Sequence, residues 1–287
     1  MSPGQVTAVR VGAAVAVFAA MALWEWLAPR RALTAGRRRR WPGNLGIWAI
    51  DSVVVRLLGP ATVVGVALAA AEHDWGLFHL LGLPYWAALV LGVIALDLTI
   101  YGQHVVFHHV PWLWRLHRMH HADLDIDVTT GARFHPLEIL LSLAIKMAAV
   151  AALGVPAEAV VIFEVLLNAT SMFNHSNVRL PPRLDRIARW IVVTPQMHQV
   201  HHSIERVETD SNFGFNLPWW DRLFGTYRAA PRAGEAGLVI GLPIFRDIAE
   251  LRVMRLLTQP FRNATSLVQA AEDPDQNQDR QRNPQQP

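Results

Sequence analysis

The chain of 287 residues is 52% hydrophobic and only 17% charged, with mean hydropathy +0.21, which is too apolar for an ordinary soluble domain and indicates a membrane protein. A net charge of +3 and a pI near 9.9 would suit nucleic acid, but no basic helix with interleaved aromatics and no recognition motif is present, so an anionic lipid surface is the expected partner. With no cysteine, disulfides, haem thiolate and cysteine-ligated iron–sulfur clusters are excluded, and any metal must be held by N and O ligands.

The first apolar run is Val11–Leu27, carrying Glu25 and ending on Trp24 and Trp26. No small-x-small cleavage site follows it; the chain runs into arginines, which suits an anchored span better than a signal peptide. A second run, Leu45–Ala71, contains Asp51, Arg56 and Pro60. A third begins at Leu83-Pro84 and reaches Tyr101 with Asp97 as its charge, and Leu137–Gly154 and Ala157–Phe173 form a fourth and fifth pair around Gly154-Val155-Pro156. At ~1.5 Å per residue each of this pair barely crosses a ~30 Å core, so the expectation is four to five spans. Arg30, Arg31 and Arg37 through Arg40 lie between the first two spans and should stay cytoplasmic. Alternating from there brings every histidine cluster to the cytoplasmic side of what is expected to be a bacterial inner membrane. His73 and His79 fall on the opposite side.

Three histidine clusters follow the third span: His104-x3-His108, His117-x2-His120-His121 and His198-x2-His201-His202. Residues at i, i+3 and i+4 share one helix face, so each cluster presents its imidazoles together. Neutral imidazole is the usual ligand for transition metals, and eight of them suit two ions better than one. Scattered surface histidines would not repeat HxxHH. His175 is taken as a ninth ligand, echoed by Glu164 and Asn168 on the same span. Asp97, Tyr101, His104 and His108 are spaced 4, 3 and 4 apart on one stripe. Asp97 is therefore expected to accept a hydrogen bond from a ligand ring or from Tyr101, the alternative being a pair with Arg56. His109, one residue past a ligand, projects about 100° away and is not expected to bind.

Farther along, Pro111-Trp112-Leu113-Trp114 and Trp219-Trp220 are either interfacial aromatics or packing under a metal cap. Ile244, Ile248, Leu251 and Met254 recur at helical spacing near arginines, predicting an amphipathic helix that lies on the membrane or packs on the cap. Glu272–Pro287 has no apolar residue, and a disordered tail is expected over 268–287 after a single domain at 1–267. The expected fold is therefore an all-α polytopic bundle with a cytosolic helical cap.

At these residues the chain resembles the fatty acid hydroxylase superfamily of integral-membrane oxygenases, which includes sterol desaturases, C-4 methylsterol oxidases and alkylglycerol monooxygenase. The resemblance covers roughly 96–227. It is carried by Asp97-x3-Tyr101-x2-His104-x3-His108, Leu113-Trp114-Arg115-x-His117-x2-His120-His121 and Arg133-Phe134-His135-Pro136-x-Glu138. Asn174-His175-x-Asn177, Thr194-Pro195-x2-His198-x2-His201-His202 and Asn212-Phe213-Gly214 through Trp220-Asp221-Arg222-Leu223-Phe224-Gly225-Thr226 complete it. It implies a non-haem di-iron centre using O2 on a lipid C–H bond, with His104, His108, His117, His120, His121, His175, His198, His201 and His202 as ligands. Two departures stand out: Val105 where many members have Arg, and Ser171 where some have a histidine four before His175, leaving a tenth position to His135, Asn168 or water. Neutral nitrogen ligands leave two ions strongly cationic, so Asp97, Glu138, Asp210 and Asp221 are expected to balance charge nearby, Asp221 alternatively pairing with Arg222. The chain carries neither a Rossmann glycine fingerprint nor a CxxCH haem site, so electrons are expected from a separate ferredoxin, flavoprotein or cytochrome-type donor. Two other classes compete: a membrane zinc hydrolase, which needs about three ligands and an open position, and a non-catalytic metal-binding or transport protein. Substrate, hydroxylation against desaturation, and oligomeric state stay open.

Overall fold

The computed structural model describes residues 3–58 and 62–263, and among them the chain is all-helical, with two isolated β-bridges. The helices are α1 (Pro3–Leu27), α2 (Arg37–Leu57), α3 (Val63–Glu72), α4 (Leu77–Leu80), α5 (Tyr85–His109), α6 (Pro111–His121), α7 (Pro136–Leu153) and α8 (Ala157–Asn174). Four short ones follow: α9 (Pro182–Ala188), α10 (Pro195–His201), α11 (Arg206–Thr209) and α12 (Trp219–Leu223). Four segments are long and apolar enough to cross a membrane: Thr7–Leu27, Tyr85–His109, Pro136–Leu153 and Ala157–Asn174. The chain is an integral membrane protein.

The second apolar run is not one helix. α2 ends at Leu57, and α3 starts afresh behind Thr62, whose hydroxyl accepts from Gly65 N at 3.1 Å. Pro60 lies between them, and proline removes a helix hydrogen bond and clashes with the preceding turn. Both halves pack on α7. The bundle core fills the space among α3, α5, α7 and α8 with Ala67, Leu96, Ile100, Val155, Ala159 and Phe163. At the end away from the histidines the bundle closes by backbone contact. Gly154 caps α7 with φ 71°, and a Cβ there or at Gly76 would overlap the facing backbone.

At the other end α1, α5 and α8 terminate together beneath a cap built from α6 and α9 to α12. Pro111 forces Val110 into extended backbone (φ −91°, ψ 117°), which ends α5, and the same proline starts α6 at its first position. Glu25, wholly buried at the end of α1, ties span to cap by accepting from Val128 N at 2.7 Å and Asn177 N at 2.8 Å. The expected amphipathic helix around Ile244–Met254 is instead a 3-10 turn, Ile248–Leu251, and a short helix, Val253–Thr258, packed on α2 with Leu251 and Leu256 buried. Arg252, extended at φ −74° and ψ 141°, breaks the helical phase between them. The expected tail lies outside the described residues.

Candidate metal centre

Two buried groups of histidines sit side by side at the cap end. His104, His108, His117, His121 and His201 form one; His120, His175, His198 and His202 form the other. Within each group one nitrogen per residue lies within 4.8 Å of the others, and none of the nine rings is more than 3% exposed. The groups adjoin: the rings of His121 and His202 stack at 4.4 Å. Each HxxHH motif splits between the two groups, because i and i+3 or i+4 share a face but diverge by enough to reach adjacent centres. α5 supplies His104 and His108, α6 its last turn, and α8 its C-cap, His175. α10 is started by Thr194, which caps Met197 N, and by Pro195 at its first position.

Six of the nine outer nitrogens are tethered. Nδ1–H donates to a backbone carbonyl in His104 (Phe213, 2.7 Å), His120 (Arg133, 3.1 Å), His175 (Ser171, 2.7 Å) and His201 (Ser211, 2.7 Å). In His117 it donates to the Glu138 carboxylate at 2.6 Å, and in His108 it faces Asp210 at 3.3 Å. A carbonyl can only accept, so these bonds assign the proton to Nδ1 and leave Nε2 as an inward lone pair. Those lone pairs crowd together: Nε2 of His104 and His117 are 3.1 Å apart, and Nε2 of His175 lies 3.0 Å from that of His120 and 2.9 Å from that of His198. Nε2 of His108, His121 and His201 are buried without any partner. Facing lone pairs and orphaned buried acceptors are what a cation would satisfy, so the residues fit a pair of nitrogen-bound metal ions. Protonation is opposed at the same time: burial pushes His117 and His175 down to about 3 and holds His120, His121, His198, His201 and His202 well below the ordinary range.

Asp97 and Tyr101 do not touch the rings. Asp97 lies two turns before His104, roughly 10 Å along the helix, too far for a hydrogen bond to it. Its Oδ2 instead accepts from Trp220 Nε1 at 2.8 Å and Leu217 N at 3.2 Å, so neither the ligand-ring, the Tyr101 nor the Arg56 pairing is what forms. Tyr101 hydrogen-bonds Thr226 Oγ1 at 2.9 Å. Both hold the 213–226 loop, whose Phe213 carbonyl receives His104. Asp221 supports the same loop, accepting from Phe213 N and Gly214 N, while Arg222 lies over the rings of Trp190 and Tyr227. The tryptophan pairs divide: Trp112 and Trp219 are exposed, whereas Trp114 packs on His108 and Trp220 serves Asp97. His135 caps α7 through Nδ1 and donates from Nε2 to Leu257 O, His109 is exposed, and His73 and His79 lie at the far end, His73 stacked on Trp75 and His79 beside Asp74. Glu164 pairs with Arg10.

A support missed in the sequence is Asp123-x-Asp125-x-Asp127, directly after the first HxxHH. Buried Arg40 binds Asp123 through Nε (2.6 Å) and Nη2 (2.7 Å) and Asp127 through Nη1 (2.6 Å), and Arg133 approaches Asp123 at 3.2 Å. Burial alone would raise Asp123, yet the two guanidiniums hold it well below the usual carboxylate range. Asp125 accepts from Thr34 N, Ala35 N and Gly36 N, fixing the entry to α2. The alternation itself was the available signal: three acids at every second residue cannot lie on one helix face, so they mark an extended, acceptor-rich segment.

A cavity of about 460 Å³ opens from His104 and His117 into the bundle, lined near the rings by Phe107, Phe134 and Phe215.

Residues 89–226 match the fatty acid hydroxylase family model. The chain is 31% identical to the ornithine lipid hydroxylase OlsE of Rhizobium tropici over 70% of this chain and 57% of that one. To the alkylglycerol monooxygenase of Homo sapiens it is 27% identical over 72% of this chain and 46% of that one, and to the cholesterol 25-hydroxylase of Rattus norvegicus 26% identical over 50% and 48%. It spans about half the length of the curated relatives it matches, and no solved structure matches it. With those histidine motifs, the chain carries a fatty acid hydroxylase domain over residues 89–226.

Proposed function

We propose that the chain is a membrane-bound non-haem di-iron oxidoreductase that uses O2 to hydroxylate or desaturate an aliphatic C–H bond of a lipid. The observation that carries this reading is the convergence of nine buried imidazoles, six of them tethered from outside, as a group of five beside a group of four. A hydrolytic zinc site needs about three ligands and an open position, which this set exceeds, and a transport path would spread its histidines across the bundle instead of gathering them at one end. The relatives' names support lipid oxidation as the reaction class, since they are hydroxylases and monooxygenases of an ornithine lipid, alkylglycerols and cholesterol.

In this reading His104, His108, His117, His121 and His201 hold one iron and His120, His175, His198 and His202 the other. Bound there, the ions supply the redox chemistry that an unactivated C–H bond demands, since it offers no acid, base or nucleophile to work with. The protein's part is positional. Carbonyls and carboxylates at Nδ1 orient six of the rings, those of His104, His108, His117, His120, His175 and His201, and raise their basicity. Phe107, Phe134 and Phe215 keep the cavity mouth dry, and the cavity admits the lipid from the bundle side. Electrons come from a separate ferredoxin, flavoprotein or cytochrome-type donor at the cap.

Comparative lipidomics of host cells with and without the gene, together with metal analysis of chain purified without affinity nickel, tests the proposal. Two irons per chain and a lipid shifted by one oxygen or by two hydrogens are expected. His120→Ala and His201→Ala should each abolish that shift while inserting normally. One zinc per chain with an unchanged lipid profile would point to the hydrolytic class.

A further inference from the structure

The cavity carries charged side chains well beyond the histidines at its mouth. Arg10, Asp51, Glu138, Lys146 and Glu164 all line it, within segments that are otherwise apolar. Some of these charges are accounted for: Arg10 pairs with Glu164, and Glu138 receives His117. Two are left. Lys146, the sole lysine of the chain, makes no hydrogen bond or ion pair among the described residues. Asp51 is 6% exposed, and its Oδ1 has no partner. They are not in ion-pair contact with each other. Gln103, adjacent to His104, likewise aims an unpartnered Oε1 into the buried space.

Position makes these two charges informative. Glu138, Ser142 and Lys146 are spaced four apart and line one stripe of α7, so Lys146 sits about 12 Å beyond the His117 partner, well inside the bundle. A lipid-depth ammonium with nothing to bind is costly, as is a lone carboxylate, and ionisable groups persist at that depth where they meet one another or a substrate. A plain alkyl chain would satisfy neither. A ligand that satisfies both carries an anion for Lys146 and an N–H donor for Asp51.

We propose that this cavity takes a lipid whose polar end is zwitterionic, its carboxylate or phosphate held by Lys146 and its protonated amine by Asp51, with Gln103 Oε1 accepting a further N–H. As a statement about substrate it rests on the lipid-oxidation reading above; as a statement about binding it stands by itself. Lys146 and Asp51 are then specificity-determining residues remote from the metal centre.

The test uses the full metal-loaded chain in a nonionic maltoside detergent and four probes sharing one tail. They are Nα-palmitoyl-lysine (both charges), Nα-palmitoyl-norleucine (acid alone), Nα-palmitoyl-lysine methyl ester (amine alone) and Nα-palmitoyl-norleucine methyl ester (neither). Affinities from native mass spectrometry are read as ratios to the neutral probe, so a general loss of folded protein cancels. The wild-type chain should prefer the doubly charged probe to either singly charged one by about tenfold, the effect of one charge-assisted hydrogen bond. Lys146→Met should erase the contribution of the acid, and Asp51→Asn that of the amine, while Lys146→Arg and Asp51→Glu keep them. Equal ratios for all four probes in the wild-type chain, or preferences that survive both neutralising variants, overturn the proposal. If the preference holds but the gene leaves host lipids unoxidised, the catalytic reading fails and this one stands; oxidised lipid without any charge preference gives the reverse.

Discussion

An imidazole that coordinates through Nε2 must place its Nδ1–H elsewhere, and Glu138 does this for His117 with a 2.6 Å bond. Removing it leaves a buried ring free to turn or change tautomer, and losing such an outer partner typically costs about 10- to 100-fold in metal affinity. Glu138→Ala should therefore lose iron to a competing chelator about 10- to 100-fold more readily than wild type, read by metal analysis after dialysis, whereas Glu138→Gln, which still accepts, retains most of it. Acid acts on the same rings. His117 and His175 sit at about 3 in the folded chain because burial disfavours the imidazolium, against an unfolded value near 6.5. A depressed folded pKa means the unfolded state binds more protons below about 6.5, so stability is full above that pH and falls as pH drops toward 3. The chelator-stripped protein should accordingly melt at progressively lower temperature from pH 7 to pH 5 in a thermal scan. A flat profile would mean these rings are not buried neutral.

At the scale of elements, the cap is held to α2 by ions inside the protein. Arg40 was legible only as part of a basic run, and its companions Arg38 and Arg39 are exposed. Arg40 itself is swallowed by Asp123, Asp127 and Thr130 across more than 80 positions of sequence, a pairing that no local spacing announces. The histidine groups were readable for the opposite reason, since i, i+3 and i+4 geometry is local. Asp97 shows where local reasoning fails: its stripe was right, but its partners, Trp220 and Leu217, come from a loop more than 115 residues away. Removing Arg40 leaves buried Asp127 without a cation and Asp123 with Arg133 alone, and breaking such a buried pair costs about 3–5 kcal/mol. Arg40→Met should lower the melting temperature sharply and release the cap to limited proteolysis, with α5 and α7 still inserted. Replacing Asp127 with Asn in that background should recover part of the loss, because Asp123 keeps Arg133 and no charge is then stranded.

For the molecule as a whole, the metal groups, the Arg30–Arg40 stretch and the cap lie at one end, and the turns at 73–84 and 154–156 lie at the other without a single Lys or Arg. Positively charged flanks are retained on the cytoplasmic side, so this asymmetry argues that the cap faces the cytoplasm, where reductant is available. Discounting buried Arg40, Arg37, which lies 3.6 Å from Glu25, and Arg30, paired with Glu235 at 2.6 Å, still leaves Arg31, Arg38 and Arg39 against none. The chain's lack of cysteine makes the orientation measurable, because any introduced thiol is unique. Asp74→Cys, at an exposed far-end turn, and Glu235→Cys, exposed on the cap, should react with a membrane-impermeant maleimide from opposite sides. In intact cells Asp74→Cys should label and Glu235→Cys should not; in inverted vesicles the pattern should reverse. The opposite result would place the histidines outside, away from a cytoplasmic electron donor. Labelling of both sites from one side would mean that the chain does not cross the bilayer an odd number of times between Asp74 and Glu235, as the spans 85–109, 136–153 and 157–174 require, and would dismantle this topology.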